Sequence, residues 1–117
     1  MQIPKQAKLL RIFIGEAARH GAKPLYEAIV LKARDATIAG ATVLRGGMGY
    51  GHSHHLHTSK ILRLSDDLPL VIEIVDTNDK IQAFLPVVDA MLNEADASGM
   101  VTVEDVQVMQ YGYQGTS

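Results

Sequence analysis

The sequence predicts an α+β fold, β-α-β-β-α-β in order, with two helices on one face of a four-stranded antiparallel sheet. Three observations lead there. Residues 70–75, Leu-Val-Ile-Glu-Ile-Val, are the most β-branched run in the chain and read as a central strand. Residues 8–16 alternate, with Leu10, Ile12 and Ile14 on one face and Leu9, Arg11 and Phe13 on the other. Between residue 81 and residue 95 the apolar side chains Ile81, Phe84, Leu85, Val88, Met91, Leu92 and Ala95 follow the 3.6-residue period, the strongest helical pattern in the chain. The order that results is the split βαβ, or ferredoxin-like, arrangement.

Each element follows in turn. After the first strand, residues 20–24 form a turn, with Pro24 suited to the first helical position. The first helix carries Leu25, Ala28, Ile29, Ala33 and Ala36 on one stripe; Lys32 interrupts it, and Tyr26 and Val30 widen it. Gly40 is the expected residue after its C-terminus. Residues 41–48 form the second strand, and residues 60–64 resume extended structure after a long loop. Residues 65–69 read as a turn into the central strand. Asp76 and Thr77 are N-cap candidates for the second helix, which Pro86 is expected to kink and Gly99 to end. In the last strand, residues 100–111, Val101 and Val103 share one parity and Val106 and Val108 the other. That change of phase predicts a bulge.

Residues 1–111 are expected to make a single domain, followed by a short polar tail over 112–117. The 117 residues are 47% hydrophobic and lack Trp, so the core is aliphatic. A net charge of −2 argues against nucleic acid as a partner. The absence of cysteine excludes disulfides and thiolate chemistry. The apolar run 9–14 is too short for a membrane span or signal peptide, so a cytoplasmic protein with no membrane insertion is expected. One face of the sheet carries Leu, Val, Phe and Met with nothing left in the chain to cover it, which points to an oligomer contact. Glu73 is expected to pair with an Arg or Lys at that surface.

Residues 45–58 hold four of the ten glycines and four of the five histidines. The segment Gly46-Gly47-Met48-Gly49-Tyr50-Gly51 is not a dinucleotide fingerprint, because no helix follows it, and it lacks the Gly-Lys-Ser/Thr of a P-loop. By spacing it serves equally as a hinge or as a backbone contact for a ligand. In extended backbone, His52 and His54 point one way and His55 and His57 the other. The tract reads as a solvated loop, a ligand or partner contact, or a site for Zn²⁺ or another divalent metal, with His52, His54, His55 and His57 as ligands. No catalytic arrangement is found. Ser53, Thr58 and Ser59 lie near histidines but have no orienting third group, so no enzyme is expected.

The chain resembles the PII-like signalling proteins, which include the nitrogen-regulatory PII proteins, and more closely an uncharacterised PII-like branch, domain of unknown function 190. The residues that carry the likeness are Gly40-Ala41-Thr42-Val43-Leu44-Arg45-Gly46, Gly49-Tyr50-Gly51, His57-Thr58, Leu64-Ser65-Asp66-Asp67-Leu68-Pro69, Val71-Ile72-Glu73-Ile74-Val75-Asp76 and Gly99-Met100-Val101-Thr102. The resemblance implies a homotrimer with its sheets facing the central axis. It also implies an adenine nucleotide in each cleft between subunits, and a loop, residues 49–60, that engages a partner such as a membrane transporter or an enzyme. The nucleotide-binding residues it implies are Arg45, Gly46, Gly47, Gly49, Tyr50, Gly51, His57, Thr58 and Arg63. Where PII proteins carry a phosphate-cradling Gly-Asp-Gly-Lys, this chain has Ala97-Ser98-Gly99-Met100, and it has no arginine after the last strand. The expected ligand is therefore AMP or ADP rather than ATP. The alternative reading is a His-rich metal-binding or metal-tolerance module.

Overall fold

The computed structural model describes residues 6–52, 55–58 and 67–112. Its elements are β1 (Gln6–Gly15), β2 (Arg19–His20), β3 (Lys23–Pro24), α1 (Leu25–Asp35), β4 (Gly40–Arg45), β5 (Met48–Gly49), β6 (His57–Thr58), β7 (Pro69–Asp76), α2 (Asn78–Glu94) and β8 (Met100–Gln107). Four of them form one antiparallel sheet in the order β4-β7-β1-β8. The most β-branched segment, β7, is therefore a central strand, as its composition predicts. The expected strand over residues 60–64 lies outside the described residues.

Alternation decides which face is the core. Leu10, Ile12 and Ile14 of β1 stand opposite Ile74, Ile72 and Leu70 of β7, and all six are buried. Against them pack Leu25, Ala28, Ile29 and Ala33 of α1 and Ile81, Phe84, Val88 and Met91 of α2. The helical stripes read from the sequence thus face the core, with Leu85, Leu92 and Ala95 partly buried against it, while Ala36 caps α1 and is exposed. Helix α2 runs unbroken through Pro86. Pro86 and Gln82, whose carbonyl a proline at that position cannot serve, are both exposed residues, so the missing bond falls on the solvent side of the helix.

The helix ends differ from expectation. Pro24 is the N-cap of α1 rather than its first helical residue. Neither Gly40 nor Gly99 follows a helix directly. The left-handed positions are Thr37 (φ 56°) and Asp96 (φ 50°). In α1, Ile38 N–H donates to the Ala33 carbonyl (3.0 Å) and Thr37 N–H to Arg34 (3.0 Å). In α2, Ala97 N–H donates to Leu92 (3.0 Å) and Asp96 N–H to Asn93 (3.1 Å). Both are Schellman closures, built without glycine. Thr37 is held by Lys80, whose Nζ donates to its carbonyl (2.8 Å) and its hydroxyl (3.0 Å). Asp96 also places a negative charge at the negative end of the helix dipole. Asp96→Gly is therefore expected to stabilise the fold by about 0.5–1.5 kcal/mol, seen as a raised thermal midpoint; an unchanged or lowered midpoint would show that the aspartate is held there by something else.

The expected bulge in the last strand is absent. β8 pairs with β1 in one unbroken register from Phe13↔Met100 to Gln6↔Gln107. The change of valine parity has a simpler cause: β8 is exposed along almost its whole length, so no buried face constrains its alternation.

The uncovered sheet face is organised in rows. Across the end nearest the loop run Leu44, Val71, Phe13 and Met100, all apolar. The next row is polar: Thr42, Glu73, Arg11 and Thr102. Arg11 Nε donates to Glu73 (3.0 Å), and Arg11 also pairs with Glu104. The hydrogen bond to Glu73 is the largest cause of an Arg11 pKa raised above its ordinary value, so this residue stays cationic. Glu73 has the basic partner the sequence leads one to expect. The far end of the face is not bare. Residues 108–111 cross it, and Tyr111 Oη donates to the Ala39 carbonyl (2.7 Å). They enclose a cleft of about 420 Å³ lined by Leu9, Val75, Val108 and Tyr111, among others. The face left open is thus the apolar row beside the loop.

Candidate functional site

The loop leaves the sheet where β4 ends and returns where β7 begins, and both ends are fixed by backbone. Gly46 N–H donates to the Pro69 carbonyl (2.7 Å), and Glu16 N–H donates to the Leu68 carbonyl (2.8 Å). Ala17 N–H donates to the Asp67 carboxylate (2.9 Å). The turn after β1 is thereby stitched to the returning strand. The same turn sets the start of α1, since Leu25 N–H donates to the Ala18 carbonyl (2.8 Å).

Within the loop, the glycines divide by role. A Cβ on Gly46 would meet Pro69 Cγ at 3.0 Å, and one on Gly49 would meet the same atom at 3.1 Å. These two glycines let the chain pass close over the proline ring, so packing already accounts for them. Gly51 has nothing within 4 Å of its missing side chain. The second strand ends at Arg45 rather than continuing to Met48. β5 instead folds into a small hairpin with β6, pairing Met48↔Thr58 and Gly49↔His57. Part of the segment expected to be a loop is therefore paired backbone. Met48, Tyr50 and Leu56 are exposed on this hairpin.

Arg45, at the end of β4, reaches back to Glu16 and forms an ion pair with it. The arginine side chain is 57% exposed and the glutamate 23%. Sequence reasoning misses Glu16 as the partner of Arg45, and it places Pro69 in a turn without its packing against Gly46 and Gly49. Pairing of Gly15 with Pro69 and of Arg45 with Leu70 brings the ends of β1, β4 and β7 side by side. The ferredoxin-like order expected from the sequence already places these strand ends together; what it does not give is which side chains meet there.

Of the residues proposed from sequence for a nucleotide, the structure brings together Arg45, Gly46, Gly47, Gly49 and Tyr50 with the backbone of His57 and Thr58, and Gly51 follows on the same hairpin. Arg63 lies outside the described residues. So does His54 of the proposed metal set, while His52 and His55 sit at the hairpin end. Among the described residues, no three His, Cys, Asp or Glu side chains come together as a metal site. Gly99, in the stretch that corresponds to the phosphate cradle of PII proteins, is also required by packing: a Cβ there would lie 2.9 Å from the Phe13 carbonyl oxygen.

The model of DUF190, described as Uncharacterized ACR, matches residues 7–108. A UPF0166 protein of Aquifex aeolicus is 37% identical over 109 residues, covering 93% of this chain and 98% of that protein. A UPF0166 protein of Methanocaldococcus jannaschii is 31% identical over 103 residues, covering 88% and 92%. Among solved structures, the fold is similar to that of CPII from Thiomonas intermedia K12, a nitrogen regulatory PII-like protein bound to ADP, AMP and bicarbonate. That match has a TM-score of 0.68 and 22% identity over 90% of each chain. A putative PII-like signaling protein of Thermus thermophilus matches with a TM-score of 0.57 and 16% identity, over 92% of this chain and 93% of that one.

Proposed function

The chain belongs to the DUF190 family, and from that premise we propose that it is a non-enzymatic, trimeric PII-like regulator that binds AMP or ADP between subunits. The observation that carries this reading is one of placement. The glycine segment and Arg45 lie at the same end of the sheet as the uncovered apolar row Leu44, Val71, Phe13 and Met100. Copies that bury this row against one another bring the loop base of each against its neighbour. The PII-like fold shared with a protein bound to ADP and AMP supports an adenine nucleotide as the ligand. The packing role of Gly99, with no lysine beside it, supports few phosphates over three.

In this reading Gly47 and Gly51 offer backbone to the ligand, with Arg45 as the cation, because the Gly46 N–H is already committed to Pro69. Occupancy would favour one arrangement of the hairpin over others, and the exposed Met48, Tyr50 and Leu56 would then be presented to, or withdrawn from, a protein partner. A regulator of this kind acts in the cytoplasm; among the described residues, no helix is long and apolar enough to cross a membrane.

Isothermal titration with AMP, ADP, ATP and cyclic nucleotides tests the proposal. Heat with AMP or ADP, and tighter binding of these than of ATP, is the expected result. Absence of heat with every nucleotide at millimolar concentration would remove the reading.

A further inference from the structure

We infer that Glu16 holds Arg45 in reserve, so that an anionic ligand at the glycine segment must take the arginine from this carboxylate before it can use it. The inference rests on the nucleotide reading and adds a residue and a regulatory step to it. The two members of the pair are unequal. Glu16 stands on a turn fixed by its own N–H bond to Leu68 (2.8 Å) and by the Ala17 bond to Asp67 (2.9 Å). Arg45 is a long side chain more than half exposed at the edge of the sheet. When the pair opens, it is the arginine that moves.

Phosphate is the stronger acceptor, because it carries more charge; a carboxylate and a phosphate both take two guanidinium N–H groups in the best geometry, but Arg45 reaches Glu16 Oε2 through Nη2. The carboxylate is the weaker competitor, since exposed ion pairs contribute little. Exchange therefore runs toward the ligand, but at a reduced affinity. It also alters the base of the loop, because Arg45 immediately precedes Gly46 and the hairpin. Glu16 is a positioning residue: it touches the arginine and not the ligand.

The test is calorimetric titration of ADP and AMP into wild type, Glu16→Gln, Arg45→Ala and the double variant, at low and constant ionic strength. Glu16→Gln is expected to bind ADP about two- to five-fold tighter than wild type, the range that release of an exposed ion pair allows. In the Arg45→Ala background the same change is expected to give no such gain, which a purely structural role for Glu16 would not produce. Glu16→Ala, checked by thermal unfolding, repeats the measurement should the glutamine variant fold poorly. Binding by wild type with no gain in either Glu16 variant, or an equal gain without Arg45, overturns the inference while leaving the nucleotide reading in place. No binding of either nucleotide by wild type overturns both.

Discussion

Ile72→Ala lowers the midpoint of thermal unfolding by on the order of 10–20 °C, following from a loss of about 2–5 kcal/mol for a buried isoleucine cut to alanine. Ile72 is fully buried at the centre of β7, with Ile12 of β1 on one side and Val43 of β4 on the other. Its side chain points into the layer shared with α1 and α2, and a cavity there cannot collapse without moving a central strand. A domain of this size has roughly 5–15 kcal/mol in hand, so the loss is a large share of the total. Ile72→Val removes a single methylene and is expected to cost only about 0.5–1.5 kcal/mol. If the alanine variant melted within a few degrees of wild type, the sheet register or the core face would be wrong.

Phe13→Asp has its largest effect elsewhere, on assembly rather than on the fold. Phe13 is 37% exposed in the single chain and sits mid-row between Val71 and Met100, on the face away from the helices. In the isolated chain an aspartate there remains near water and costs little. In a trimer closed over this face, each copy would bury an unpaired carboxylate, at several kcal/mol apiece. The expected outcome is a shift from trimer to monomer in sedimentation equilibrium at micromolar concentration, with an unchanged far-ultraviolet circular dichroism spectrum. Met100→Asp, at the edge of the same row, is expected to act alike. A Phe13→Asp protein that remained trimeric would move the contact off this face.

The parts of the fold that could be read from sequence are those where burial dictates pattern. Strands β1 and β7 and helices α1 and α2 each bury one defined face, so their apolar residues recur at the period of the element. Strand β8 could not be read in the same way. Both of its faces are exposed in one chain, and its valines mark no single side. Glycine also misled, and for a physical reason. Its freedom at positive φ makes it the expected helix terminator, yet Thr37 and Asp96 occupy those positions. Gly99 is instead needed because the Phe13 carbonyl leaves no room for a side chain.

The candidate site shows the same division. Local sequence located the glycine segment and the arginine beside it. It could not show that Gly46 and Gly49 pack on Pro69, nor that Arg45 is engaged by Glu16, because those contacts join residues far apart in the chain. The row of apolar residues across four strands was legible only as a surplus of Leu, Val, Phe and Met. Its confinement to the loop end depends on residues 108–111 folding back over the other end, which no periodicity announces.

The central claim is that the binding place belongs to the junction between copies and not to one copy. Titrating ADP into Phe13→Asp and Met100→Asp, each confirmed as a folded monomer, tests this most directly. Heat of binding in wild type and none in either monomer is the expected result. Binding by the monomers with wild-type affinity would place the site within a single chain and contradict the account.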